Sequence, residues 1–347
     1  MVCVSFSRPR ETQREFEVIE LYHDETGAGP DGRVSTPMKQ KSLRKPVGCS
    51  GIALHSGIDV EMKLLPAETG SGLTLRRTDI ANGGSLIPVS WENVVSSYLA
   101  TTIGNKHGVT VSTIEHLMAA LAGCEIDNVV IEVDGPELPI MDGSAAPFVD
   151  LIEQAGIVEQ DAPRRAIQIL KPVKVEDGER SLALIPSDGF SISFEIDFET
   201  SSIARQELAI VPVNGTFKSD IANARTFGFA EDVDRMRDAG LALGGSLDNA
   251  IVISGNQILN QGGLRHEDEF VRHKILDCVG DLYLAGAPII GHVRGARSGH
   301  ALNHELLRAL FDQDDSWRYT SFEEHGVLPE VTRPVSKTGL DAGIALA

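Results

Sequence analysis

His273, Asp277 and Asp281 stand four residues apart, in the run His273-Lys274-Ile275-Leu276-Asp277 followed one turn later by Asp281. On a helix, residues at this spacing share one face. The neighbours Val271, Ile275, Leu276, Val279 and Leu282 are apolar and keep a helical period. One imidazole and two carboxylates on a largely buried helix are costly unless something binds them. A zinc ion is the simplest explanation. It takes nitrogen and oxygen ligands, and its catalytic sites use three protein ligands and keep one position for water. Two ligands would come from this helix and the third from elsewhere. The plain alternative, which holds for most such spacings, is a solvated helix face or an i,i+4 hydrogen bond.

Thr113-Ile114-Glu115-His116-Leu117 offers the third ligand. Glu115 and His116 point about 100° apart on a helix, yet both could face one cavity at a domain junction. His116 is the natural ligand. Glu115 would stand beside the metal without binding it, placed to take a proton from the attacking water. The alternative is a surface glutamate and a core histidine. Ser298-Gly299-His300 offers an imidazole at a strand-to-helix turn with a flexible, exposed backbone, a good post for a general acid or an oxyanion partner. Asp281 could hold that ring and raise its pKa. A helix-capping loop with an incidental histidine is the other reading. Thr226 lies between Arg225 and the aromatic residues Phe227 and Phe229, and Leu241–Ser246 is small and apolar around Gly244-Gly245. This stretch could line a narrow hydrophobic passage, or be ordinary core around a turn.

The elements that must carry these residues follow from periodicity. Ser112–Ala122 reads as a helix capped by Thr113, with Ile114, Leu117, Met118 and Leu121 on its apolar face. Glu269–Leu284 is a long helix, and Pro147–Ala155 and Asn303–Asp312 are shorter ones. Asp220–Ala239 is helical in parts. Strands are expected at Arg44–Ser50, Asp59–Pro66, Gly72–Arg77 and Asn128–Val133 in the first half. In the second they are expected at Ala166–Leu170, Ser181–Pro186, Ser191–Phe198, Asn249–Ile253 and Ile289–Arg297. Each half runs strands, helix, strand, helix, which hints at a duplicated two-layer α/β unit. Residues 1–38 are polar and are expected to form a disordered extension with one short strand candidate at Phe16–Tyr22. Met38 is a candidate initiator. The halves divide at Arg164-Arg165, giving 39–164 and 165–340, with 341–347 as a tail.

Composition bounds the function. The chain has 347 residues, 42% of them apolar, enough for two domains or one large one. A net charge of −19 argues against general nucleic-acid binding but leaves room for a local cationic patch that holds an anionic small molecule. Four scattered cysteines with no CxxC fit a reducing cytoplasm, and Cys278, beside Asp277, reads as a small core residue. No apolar run approaches the ~20 residues of a membrane span, and the first residues lack a signal peptide's apolar core. The expectation is a soluble cytoplasmic monomer.

Five segments in order carry a specific resemblance: 112–123 (STIEHLMAALAG), 139–148 (PIMDGSAAPF), 224–229 (ARTFGF), 267–277 (EDEFVRHKILD) and 298–302 (SGHAL). Over about residues 39–338 the chain resembles the UDP-3-O-acyl-N-acetylglucosamine deacetylases, zinc enzymes of lipid A synthesis in Gram-negative bacteria. The resemblance implies an α+β fold of two related two-layer α/β domains, packed helix layer to helix layer with the active site at the junction. It implies zinc held by His116, His273 and Asp277, with Glu115 as general base and His300 as its positively charged partner. Thr226 would polarise the acetyl carbonyl, and Lys274 and Arg297 would serve the diphosphate, with Asp197 and Phe198 near the uridine. An insert around 227–250 would form the acyl passage, through Phe227, Ala230, Val233, Ala242, Gly245, Ser246, Leu247 and Ala250, and Leu99 would also bind substrate. The implied reaction removes the N-acetyl group of UDP-3-O-(3-hydroxyacyl)-N-acetylglucosamine. Whether His300 or Glu115 protonates the leaving amine, and whether the native metal is zinc or iron, stays open. So do a binding protein without catalysis and a zinc hydrolase of another amide.

Overall fold

A computed structural model describes residues 38–81, 83–198, 203–212 and 216–321. The expected disorder and strand within residues 1–37, and the 341–347 tail, lie outside them.

The first half is built on strands β1 (Val47–Ile52), β2 (Asp59–Pro66), β3 (Leu73–Arg77), β4 (Leu86–Pro88) and β5 (Val129–Val133). β2 shows why it forms: Val60, Met62 and Leu64 are buried while Asp59, Glu61 and Lys63 are exposed, the period-two pattern of a half-buried strand. The strands pair in the order β1-β2-β5-β3-β4, antiparallel except for β5 with β3. Helix α1 (Glu115–Gly123) precedes β5 and α2 (Ala146–Ala155) follows it.

The second half repeats this plan. Its strands β6 (Val173–Asp177), β7 (Arg180–Ile185), β8 (Phe190–Phe198), β9 (Ala204–Ile210) and β10 (Ile289–Ala296) pair in the order β6-β7-β10-β8-β9, antiparallel except for β10 with β8. Arg165–Ile169 and Trp317–Ser321 extend the sheet from the start of β10. Helix α3 (Ala230–Asp238) lies between β9 and the helix α4 (Glu269–Leu282), which precedes β10, and α5 (His300–Phe311) follows it. Thus β5 and β10 are equivalent strands, α1 and α4 equivalent helices. A helix covered by its own sheet on one side and by its counterpart on the other should be apolar nearly all round. All of α4 except Arg272 and Lys274 is buried, and so is α1 from Glu115 to Leu121. The two helices meet at Gly280, where an added Cβ would lie 2.0 Å from the Glu115 carbonyl oxygen. No side chain larger than hydrogen fits this crossing. No described helix is long and apolar enough to cross a membrane.

Several elements depart from expectation for identifiable reasons. Helix α1 begins at Glu115 with no side-chain cap. Thr113 sits at φ 56° and its hydroxyl donates to the buried carboxylate of Glu137. The expected strand Arg44–Ser50 is broken by a bend at Arg44-Lys45-Pro46, where proline cannot donate to a ladder. Lys39–Leu43 pairs instead with Ile157–Pro163. Helix α5 starts three residues early, at His300, because Gly299 caps it without a side chain and leaves no polar signal. The stretch 220–239 takes in the end of a wide turn (Phe217–Ile221), a strand (Phe227–Phe229) and then α3.

Candidate active site

The α4 stripe forms as its spacing predicts, and α1 completes it. Glu115, His116, His273, Asp277 and Asp281 are between 0% and 4% exposed. His116 Nε2 lies 3.6 Å and His273 Nε2 3.3 Å from the same oxygen, Oδ1 of Asp277. The two rings stand nearly perpendicular, 5.0 Å apart. One ligand-type atom from each of the three residues lies within 4.8 Å of the others.

This arrangement fits a cation better than an empty core. His273 Nδ1 donates to the Ala224 carbonyl at 3.0 Å, so in the neutral ring Nε2 presents a lone pair. Burial drives the His273 pKa down to about 3, which keeps that ring neutral. Burial opposes ionisation of Asp277, but the charged Lys274 that donates to it outweighs burial and holds the carboxyl well below its usual range. An imidazole lone pair therefore faces a carboxylate oxygen, and that oxygen has no hydrogen-bond partner among the described residues. A positive charge between them resolves the contact. Two nitrogens and one carboxylate oxygen are a donor set that zinc accepts.

Beside this group stands a second one. The Glu115 carboxylate has Oε1 3.8 Å from His300 Nε2, and Oε2 accepts from the Thr101 backbone amide at 3.1 Å. Burial raises the Glu115 pKa. His300 Nδ1 donates to Asp281 Oδ2 at 2.7 Å. Burial alone would lower the His300 pKa, but the adjacent Asp281, with Glu115 and Asp277, raises it to about 9. His300 opens α5 directly after Gly299, with its side chain 11% exposed. Three residues that join this network were not legible in the sequence: Thr101, Asn303 and His304, all of which reach Asp281 or its partners. The only signal was the repeat of histidine one turn after His300.

Two recesses adjoin the centre. A cavity of about 930 Å³ is lined by Leu99, Thr226, Phe227, Ala230, Val233, Leu241, Ala242, Gly245, Ser246, Leu247 and Ala250, the residues expected to line a passage. Phe227 ties it to the centre, its ring 6.2 Å from His273. The second recess, of about 430 Å³, is lined by Arg180, Asp197, Phe198, Lys274, Arg297 and Ser298, with Asp177, Glu179 and Ile196. Arg297 bridges Asp197 and Glu179, and Lys274 donates to Asp277 Oδ2 at 2.7 Å. Burial would lower the Lys274 pKa, but Asp277 raises it, so the ammonium stays charged.

Comparison with known proteins finds relatives over most of the chain. The family described as UDP-3-O-acyl N-acetylglycosamine deacetylase matches residues 40–312. Proteins named UDP-3-O-acyl-N-acetylglucosamine deacetylase from Shewanella sp. (strain ANA-3) and from Shewanella baltica are 49% identical over 292 residues, covering 84% of this chain and 95% of theirs. One from Acidithiobacillus ferrooxidans is 49% identical over 289 residues, 83% of this chain and 94% of its own. The chain belongs to the UDP-3-O-acyl N-acetylglycosamine deacetylase family.

Proposed function

We propose that this protein hydrolyses the N-acetyl group of a UDP-3-O-(3-hydroxyacyl)-N-acetylglucosamine, giving the free amine and acetate, with zinc held by His116, His273 and Asp277. In the pathway that the resemblance implies, this is the committed step of lipid A synthesis. The observation that carries the reading is the junction itself: a buried set of metal-ligand residues stands between a largely apolar cavity and a recess holding Lys274 and Arg297. Bound zinc would supply Lewis acidity to the amide carbonyl and to the attacking water.

The residues of the chain divide the remaining work. Glu115 takes the proton from water as it attacks the carbonyl carbon. Its pKa, raised by burial, brings it closer to the operating pH of a general base. The Thr101 amide fixes one carboxylate oxygen and leaves Oε1 facing the site. The hydroxyl of Thr226, at the cavity wall, helps polarise the carbonyl as negative charge develops on its oxygen. His300, held protonated by Asp281, donates to the nitrogen as the C–N bond breaks, or stabilises the oxyanion while Glu115 returns its proton. Lys274 and Arg297 bind the diphosphate, with Asp197 and Phe198 beside the uridine, and the apolar cavity takes the acyl chain. The test is acetate release from the acylated UDP-sugar by zinc-loaded protein. Tight binding of the sugar without acetate release would overturn the reading in favour of a binding protein.

A further inference from the structure

Asp281 is tied at both oxygens by more than His300. Its Oδ2 accepts from His300 Nδ1 at 2.7 Å and from Asn303 Nδ2 at 2.8 Å. Its Oδ1 accepts from the Thr101 hydroxyl at 2.5 Å. Thr101 is 0% exposed, and its Oγ1 also lies 2.8 Å from His304 Nε2. A hydroxyl has one proton. A carboxylate that receives three donors needs that proton, so toward His304 the hydroxyl oxygen accepts and His304 Nε2 carries the hydrogen. The ring's other nitrogen, Nδ1, is then buried with no partner among the described residues. A buried nitrogen left without a partner is a cost that calls for a reason.

The reason lies in what Thr101 connects. Its backbone amide holds Glu115 Oε2 and its side chain holds Asp281 Oδ1. We infer that Thr101, oriented by His304, is a positioning residue that sets Glu115 and the Asp281–His300 pair in register for deacetylation. The chain of donors runs His304 Nε2–H to Thr101 Oγ1–H to Asp281, and each bond polarises the next. It fixes the plane of the Asp281 carboxylate and with it the plane of the His300 ring. The ring's Nε2 is thereby aimed between Glu115 Oε1 at 3.8 Å and Asp277 Oδ2 at 4.0 Å. Neither Thr101 nor His304 belongs to the metal-ligand set, so their effect falls on the turnover step.

This inference rests on the proposed deacetylation, and acetate release by the unaltered protein tests that reading separately. Given such activity, Thr101→Val keeps the shape and the backbone amide but removes the hydroxyl. It should lower kcat by roughly 10–100-fold, the usual worth of a hydrogen bond to a charged group, with KM and zinc content unchanged. Thr101→Ser, which restores the hydroxyl, should return most of the rate. Should the valine variant not fold, His304→Phe carries the test and should lower kcat at constant KM and zinc content. A wild-type kcat in folded Thr101→Val or His304→Phe would overturn the inference. So would a loss in Thr101→Ser as large as in Thr101→Val.

Discussion

The polar centre and the apolar cavity are built on opposite principles. Around Glu115, Asp281 and His300 each carboxylate oxygen or ring nitrogen has a named partner, and the helices that carry them cross at Gly280 with no room for a side chain. The cavity wall is α3 and the segment after it. No residue of α3 is buried, Leu243 and Leu247 are 52% and 47% exposed, and Ala242 and Leu99 hold positive φ angles. Bond-making chemistry needs atoms held within fractions of an ångström. An alkyl chain needs only dry volume. The difference predicts that small changes in the centre stop the reaction, while changes in the wall alter which substrate reacts.

The largest effect should come from the centre. Glu115→Ala should lose roughly 10²–10⁴-fold in kcat and keep its metal, as removal of a general base does. Loss of metal with the side chain would make Glu115 a ligand and erase the distinction drawn between it and His116. Next comes the wall. Each methylene buried there is worth about 0.8 kcal/mol, so an acyl chain four carbons shorter should cost on the order of 10²-fold in kcat/KM. Gly245→Leu should compress that ratio by filling the cavity. A Cβ at Gly245 would meet the Ala242 carbonyl oxygen at 3.2 Å, a tight contact that the turn must relax, and Leu54 at 3.7 Å, so the ratio is read only in folded variant protein. Ala242→Trp would add strain at φ 52° as well as bulk, which makes it the less clean variant. A long-to-short rate ratio equal to wild type in folded Gly245→Leu would place the acyl chain elsewhere.

His300 returns the comparison to the centre through pH. Its pKa is raised to about 9, so the ring is protonated below that value and loses its proton as pH rises through it. If the protonated ring assists departure of the amine, kcat/KM should fall above about pH 9, and His300→Gln should shift or flatten that limb. Observed values belong to the coupled site, not to one residue. An unchanged basic limb in His300→Gln would assign it to another group. The smallest effect is expected at the recess rim. Arg297→Ala should weaken UDP binding several-fold, more so at low ionic strength, and leave metal content alone. Because Arg297 also neutralises Asp197 and Glu179, its loss leaves net negative charge in the recess proposed for the diphosphate. Equal affinity in the variant would move the diphosphate away from this recess.

The centre was more legible in sequence than the frame around it. Spacing alone placed His273, Asp277 and Asp281 on one face, because a helix fixes i,i+4 neighbours whatever the fold. The strand Asp59–Pro66 was legible because its burial alternates. Thr101 was not, since nothing local marks a threonine whose partners lie 180 and 203 residues away. The start of α5 was missed because a glycine cap leaves no polar signature, and the strands Ala204–Ile210 and Trp317–Ser321 because their exposed, polar sequences give weak alternation. The duplication was visible only as a rhythm of elements. The matching strand orders of the two sheets appear once pairing is known.

The central claim is that His116, His273 and Asp277 form a metal site serving the reaction. Metal content of the purified protein and its variants, measured alongside acetate release, tests it most directly. One equivalent of zinc per chain is expected in the wild type and in Glu115→Ala, with His116→Ala losing metal and activity together. A His116→Ala protein that keeps full metal and full rate would contradict the account.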